Sequence, residues 1–215
     1  MYLLSIQTFM ANASQLGFFL NPTRFRRGGV TNDALMSAVY LWGSRLSASN
    51  TLRAREAYFA DRATQAVSGT TMTTQSTSVL HTIQAEVLLA NYFFSTSRIL
   101  EGRYHTLAAV ALATGSRYHQ LDLGTMSGDP IGAGEKIRAF WTVVAVDKAW
   151  AAAMNSPPSL SHSGRTGVRV TTPWPLTAEA YEQVGTDHPS VCRTAYSYRV
   201  SLLRACSCLA TVITR

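Results

Sequence analysis

Charge is what this chain has least of. Charged residues make up 14% of its 215 residues, against about a quarter in an ordinary soluble domain. Only 12 are acids, and most stand alone, so the paired carboxylates of acid–base catalysis are missing. The aspartate-rich metal motif of isoprenoid-synthase-like helical enzymes is missing too. Cysteine is as scarce, with Cys192, Cys206 and Cys208 as the three in the chain. An odd number excludes a closed disulfide framework, and a single residue between Cys206 and Cys208 is not a zinc-knuckle spacing. The five histidines, His81, His105, His119, His162 and His188, include no i, i+4 pair on one helix, which excludes a zincin-type site. No run reaches about 18 clean apolar residues, so no membrane-spanning helix is expected. The first basic residues follow the apolar N-terminal stretch, the reverse of a secretory signal.

What is present is apolar and basic. An apolar fraction of 47% suffices for the core of one domain of this length. The net charge of +7 admits nucleic acid or an anionic surface as partner, but the basic residues are scattered. Their densest cluster, Arg24, Arg26 and Arg27, reads as a solvated surface turn, with phosphate contact as the alternative.

Apolar periodicity predicts one helix after another, and an all-α, irregular multi-helix bundle. A first helix spans 3–18 and ends near Gly17, before the Asn21-Pro22 break. Thr31 or Asn32 caps a helix over 33–48, with Leu35, Ala38, Val39, Trp42 and Leu46 on one side. Another covers 51–67. A polar linker, 68–78, precedes the most apolar helix, 79–96, with Ser78 as its cap. Leu80, Ile83, Val87, Ala90 and Phe94 form its main face, and the other faces are also apolar, as in a buried central helix. A helix over 101–116 pairs with it as an antiparallel hairpin, through Leu107, Ala108, Ala111, Leu112 and Gly115. A glycine-rich loop, 124–134, leads into a helix over 135–154 that Pro157-Pro158 stops. Residues 159–175 read as extended, with one short strand at 168–172.

Few residues invite chemistry. The loop from Gly128 to Lys136 departs from a phosphate cradle, because Glu135 intervenes and no Ser or Thr follows the lysine. Ser161-His162-Ser163 lacks the rigid elbow and orienting acid of a triad. His81 reads as a satisfied core histidine and His119 as a helix C-terminal residue. Asp147 stands out, being a carboxylate in an apolar run, and such a group is costly unless partnered. It reads as a buried ion pair with Arg138, Lys148 or an arginine of the 101–117 helix, or else as a ligand contact in an internal cavity.

These segments together resemble one family. Ala38-Val39-Tyr40-Leu41-Trp42-Gly43, the helix LHTIQAEVLLANY from Leu80 with its Gln84, the stretch Arg98–Leu112 with Gly115 and His119, and IRAFWTVVAVD from Ile137 recur in one order. Arg138, Phe140, Trp141, Asp147 and then Pro157-Pro158 fit its most specific signature. The order is similar to that of the regulatory middle homology domain of fungal zinc-cluster transcription factors, of basidiomycete type, over about 7–182. The resemblance implies a regulatory domain at 1–182 with a divergent tail at 183–215, a nuclear protein rather than an enzyme, and control of transcription by RNA polymerase II. It implies co-regulator or transcription-machinery partners, a small-molecule effector, and a homodimer in the full-length form, with no membrane partner. Trp141, Asp147 and Trp150 are the candidate pocket residues. The family's zinc and DNA contacts belong to a six-cysteine N-terminal cluster that this sequence does not contain; no cofactor is expected here, and the chain reads as a truncated gene product or regulatory fragment. An orphan interaction module without DNA binding, and a helical enzyme without a recognisable motif, are the alternatives. Tyr104-His105 and Tyr118-His119 depart from the family, which places a tryptophan at the first and Leu-His at the second.

Overall fold

Asparagines, aspartate and prolines set the helix starts. The Asn21 side chain accepts the Arg24 amide at 2.8 Å, with Pro22 in the first helical turn. Asn32 accepts the Leu35 amide at 2.9 Å, and Asp129 accepts that of Gly132 at 2.9 Å ahead of Pro130. Each satisfies an amide that lacks an intrahelical partner. The structure, a computed structural model, describes residues 2–27, 32–69, 76–121, 129–160 and 169–183. It contains α1 (Tyr2–Asn12), α2 (Pro22–Arg26), α3 (Asp33–Arg45), α4 (Asn50–Arg53) and α5 (Glu56–Gly69). These are followed by α6 (Ser76–Ser95), α7 (Ile99–Gly115), a 3-10 turn at Tyr118–Gln120, α8 (Pro130–Ala153) and α9 (Ala178–Gln183). No strand occurs among the described residues.

Helix α6 is the hub. It packs on α3, α5, α7 and α8, and Ile83, Leu88 and Leu89 on its several faces are wholly buried. Its C-terminus closes in a Schellman turn: Arg98 donates to the Phe93 carbonyl at 2.8 Å and Ser97 to that of Phe94 at 3.0 Å. Ser97 takes the left-handed conformation, φ 60°, the role usually given to glycine. The turn folds α7 back onto α6. Phe94 meets Gly102, and Glu86 meets His105, so partners run in opposite chain order.

The polar residues of α6 hold the rest in place. Gln84 is fully buried; its Oε1 accepts the Phe19 amide at 2.8 Å and its Nε2 donates to the Gly17 carbonyl at 3.1 Å. Asn91, seven residues on and hence on the same face, donates to the Leu16 carbonyl at 3.0 Å and accepts from Trp150 Nε1 at 3.2 Å. Trp42 Nε1 on α3 donates to the Leu88 carbonyl at 2.9 Å. At the far end of α3, Arg45 pairs with Glu56 at 2.8 Å, and the Tyr92 hydroxyl donates to the same carboxylate. Burial first, and Glu56 second, push the Tyr92 phenol up to about 12.

Several expected boundaries shift, for local reasons. Helix α1 ends at Asn12, not residue 18, because Gln84 and Asn91 take the carbonyls of the turn behind it and Gly17 bends the chain at φ 77°. The 51–67 helix is split into α4 and α5. Helix α6 starts at Ser76, so Ser78 lies inside it. Helix α8 starts five residues early, at Pro130, because Asp129-Pro130 makes a better start than the glycines are breakers. On α7 the buried residues are Gly102, His105, Thr106, Ala109 and Ala113, while Leu107 is 44% exposed and Ala111 is exposed. The all-round apolar composition of α7 hid which face packs. Residues 169–172 form no strand: the Thr171 and Thr172 amides donate to the His119 carbonyl instead. Val168, the linker residues 70–75 and the loop at 122–128 lie outside the described residues, as do all three cysteines and Ser161-His162-Ser163.

Candidate functional site

The signature residues of α8 do structural work at its C-terminal end. Asp147 is 4% exposed, and its partners are amides. Oδ1 accepts from the Ser159 N–H at 3.0 Å and Oδ2 from that of Leu160 at 2.9 Å. The expected ion pair is not formed: no cation pairs with Asp147 among the described residues. Lys148 is exposed, and the nearby Arg103 donates to Ser156 Oγ at 3.1 Å. Chain reversal explains this. Helix α8 ends in a second Schellman turn, with Asn155 at φ 49°. The exposed Pro157-Pro158 pair then runs back along the helix. Prolines have no amide to donate, so the first two free N–H groups after them fall to Asp147. The spacing between aspartate and prolines thus encodes a strap tied by one carboxylate.

The two tryptophans of the candidate pocket stand apart. Trp141 and Trp150 are nine residues apart on α8, about 900° of rotation, which places them on opposite faces. Trp141 Nε1 donates to the Pro173 carbonyl at 2.7 Å and the ring stacks on Trp174 at 4.0 Å. Trp150 stacks on Phe94 at 4.0 Å and, with Asp147, Arg103 and Pro157, lines a cavity of about 10 Å³. That is room for one water, not for a metabolite. Phe140 is wholly buried, and Arg138, half-buried, lies one turn from Glu135.

The start of α8 is an ionic junction. Arg24 of the basic cluster pairs with Asp129 at 2.9 Å and lies 3.7 Å from Glu135, while Arg26 and Arg27 are exposed. Asp129 already supplies the anion at this helix N-terminus, so it is no phosphate cradle. Burial pulls the Asp129 carboxyl up, but the Gly132 amide and Arg24 outweigh it and hold the group below its ordinary value. Glu135 goes the other way: burial raises its pKa despite the Asn21 amide at 2.8 Å and nearby Arg24. A carboxyl with a raised folded pKa binds its proton more tightly when folded. Stability therefore falls as pH rises from 4.5 through the raised value. Asp129 acts in a separate window, losing its contribution as pH falls through a value below 3.8. Glu135→Gln keeps an acceptor for Asn21 and is expected to flatten the first decline and leave the second; urea midpoints from pH 3 to 7 measure both.

A groove of about 420 Å³ lies between α5 and α7. Asp61, Thr64 and Gln65 form the α5 wall; Arg98, Leu100, Glu101 and Tyr104 form the α7 wall; Phe93 and His105 lie behind. His105 is 2% exposed, lies flat on Phe93 at 5.1 Å, and has Nδ1 2.6 Å from the buried Glu86 carboxylate. His81, by contrast, is half-buried, with its pKa lowered by burial and by Arg24. His119 sits in the 3-10 turn, its pKa lowered by burial and Arg117.

A family model for the fungal specific transcription factor domain matches residues 4–164, about three-quarters of the chain. The chain belongs to this family. No curated protein and no solved structure matches it. All seven signature residues, from Gln84 to Pro158, lie within the matched fungal transcription factor domain, and in the structure most of them serve assembly: Gln84 ties the first turn to α6, Asp147 ties the strap to α8. Sequence reasoning missed the Glu86–His105 pair. One signal was available: Glu86 interrupts the most apolar helix, and His105 lies in the Tyr104-His105 segment that departs from the family pattern.

Proposed function

We propose that this fungal transcription factor domain is the regulatory domain of a zinc-cluster factor that acts in the nucleus on transcription by RNA polymerase II. It restrains an activation region until a small effector occupies the groove between α5 and α7. The family match carries this reading. The groove supports its effector part, because about 420 Å³ lies within the range of small-molecule sites. Zinc and specific DNA contact are assigned to a zinc cluster outside these residues, as is dimerisation of the full-length factor. Co-regulators or the transcription machinery are the protein partners.

The test is a reporter assay in yeast. The 215-residue chain is placed between a heterologous DNA-binding module and an activation region. Reporter output is expected to fall several-fold below that of the same fusion with a flexible linker in its place, and equal output would overturn the regulatory reading. A second reading, an interaction module that never acts on DNA, is favoured by one observation. Leu100, Tyr104 and Leu107 expose 81%, 61% and 44% of their surface along one face of α7, at i, i+4 and i+7 spacing.

A further inference from the structure

The groove between α5 and α7 is opposite in sign to the chain that forms it. The chain carries +7, whereas Asp61 and Glu101 against Arg98 leave the groove at −1. Arg98 is already engaged: it bonds Glu101 at 3.0 Å and lies 4.4 Å over the Phe93 ring. Asp61 differs, being exposed, and among the described residues no cation pairs with it. Thr64 and Gln65 follow one turn later on the same face. The Thr64 hydroxyl spends its proton on the Ala60 carbonyl at 2.9 Å, which leaves its oxygen as an acceptor. One wall therefore offers acceptors around an unpaired carboxylate, and the other offers an exposed aromatic ring and an exposed leucine, Tyr104 and Leu100.

We infer that this groove binds a cationic aromatic small molecule, an aryl or arylalkyl amine, with its ring against Tyr104 and Leu100 and its ammonium on Asp61. The inference rests on the effector reading above. Aromatic rings pair with one another in offset-stacked or edge-on contact, which Tyr104 offers to the ligand's ring, and the exposed Asp61 adds an ion pair with the ammonium. An aromatic acid of the same shape meets Asp61 and Glu101 as like charges.

Calorimetric titration of the purified 215-residue chain tests it, with tyramine and tryptamine set against 4-hydroxyphenylacetate and indole-3-acetate, which carry the same rings. The amines are expected to bind at least about tenfold more tightly than the acids, and less tightly as salt rises. Asp61→Asn, a surface change, is expected to remove most of the difference, with circular dichroism confirming its fold. Amines binding no better than acids, or equally well to Asp61→Asn, would overturn the inference. The reporter output without ligand separates the two readings. Restraint without amine binding sinks the amine site alone. Amine binding without restraint keeps the site and sinks the regulatory role.

Discussion

Asp147→Ala is expected to lower the unfolding free energy by about 2–4 kcal/mol, from the loss of two amide partners at roughly 1–3 kcal/mol for each one left unsatisfied. The two amides do not weigh equally. Leu160 is 2% exposed, so its N–H has no ready access to water, whereas Ser159 is exposed and its amide is more easily hydrated. The neighbouring cavity of about 10 Å³ admits one water to part of the loss, which sets the upper end of the range. Asp147→Asn separates charge from geometry. It keeps one acceptor oxygen but turns an NH₂ toward the other amide, so it is expected to recover less than half of the loss. Urea denaturation followed by circular dichroism measures both, and near-ultraviolet signals report Trp150 beside the strap. A cost below about 0.5 kcal/mol for Asp147→Ala would mean that the carboxylate does not hold residues 159 and 160, since surface changes fall within that range.

The same residue shows how far the sequence alone reaches. A carboxylate among valines announces a partner, and the bare sequence supports the partner's existence. It does not support its kind, because the partner is backbone, and backbone reaches Asp147 only through the left-handed turn at Asn155. Helices α3, α5 and α6 were legible because each has a periodic apolar pattern and polar ends. Helix α7 was legible as a helix but not in its packing face, since residues apolar on every side carry no phase; Gly102, the one residue that had to face Phe94, was the available marker. The pairing of Trp141 with Trp150 in one pocket fails on helix geometry alone. The α5–α7 groove was not legible at all. It is assembled by tertiary packing from residues such as Asp61 and Glu101, which read singly as ordinary surface charges.

Gly43→Ala is expected to be the most damaging of the glycine changes, at about 3 kcal/mol, the upper end for overpacking. A Cβ at this position would overlap the Ser5 carbonyl oxygen and lie 2.7 Å from its carbon and 2.8 Å from its Cα. The obstacle is the backbone of α1, which cannot rotate away. Helix α1 must move outward as a body, and Phe9, wholly buried and edge-on to Phe18 at 5.3 Å, moves with it. Gly102→Ala meets a side chain instead, the Phe94 ring at 2.7 Å. A side chain can shift where a helix backbone cannot, so the cost is smaller, about 1–2 kcal/mol, although the stack of that ring on Trp150 at 4.0 Å resists the shift. Gly115→Ala meets nothing within 4 Å and ends α7; it is expected to be neutral or to stabilise by a few tenths up to about 1 kcal/mol, since glycine is the poorer helix former. Thermal midpoints should rank the variants in that order. Hydrogen exchange should show the Gly43→Ala loss concentrated in α1, which packs chiefly on α3, while the contacts of α6 with α5, α7 and α8 do not involve α1. A Gly43→Ala chain that melts with the unaltered one would mean that α1 does not pack on α3 at this glycine.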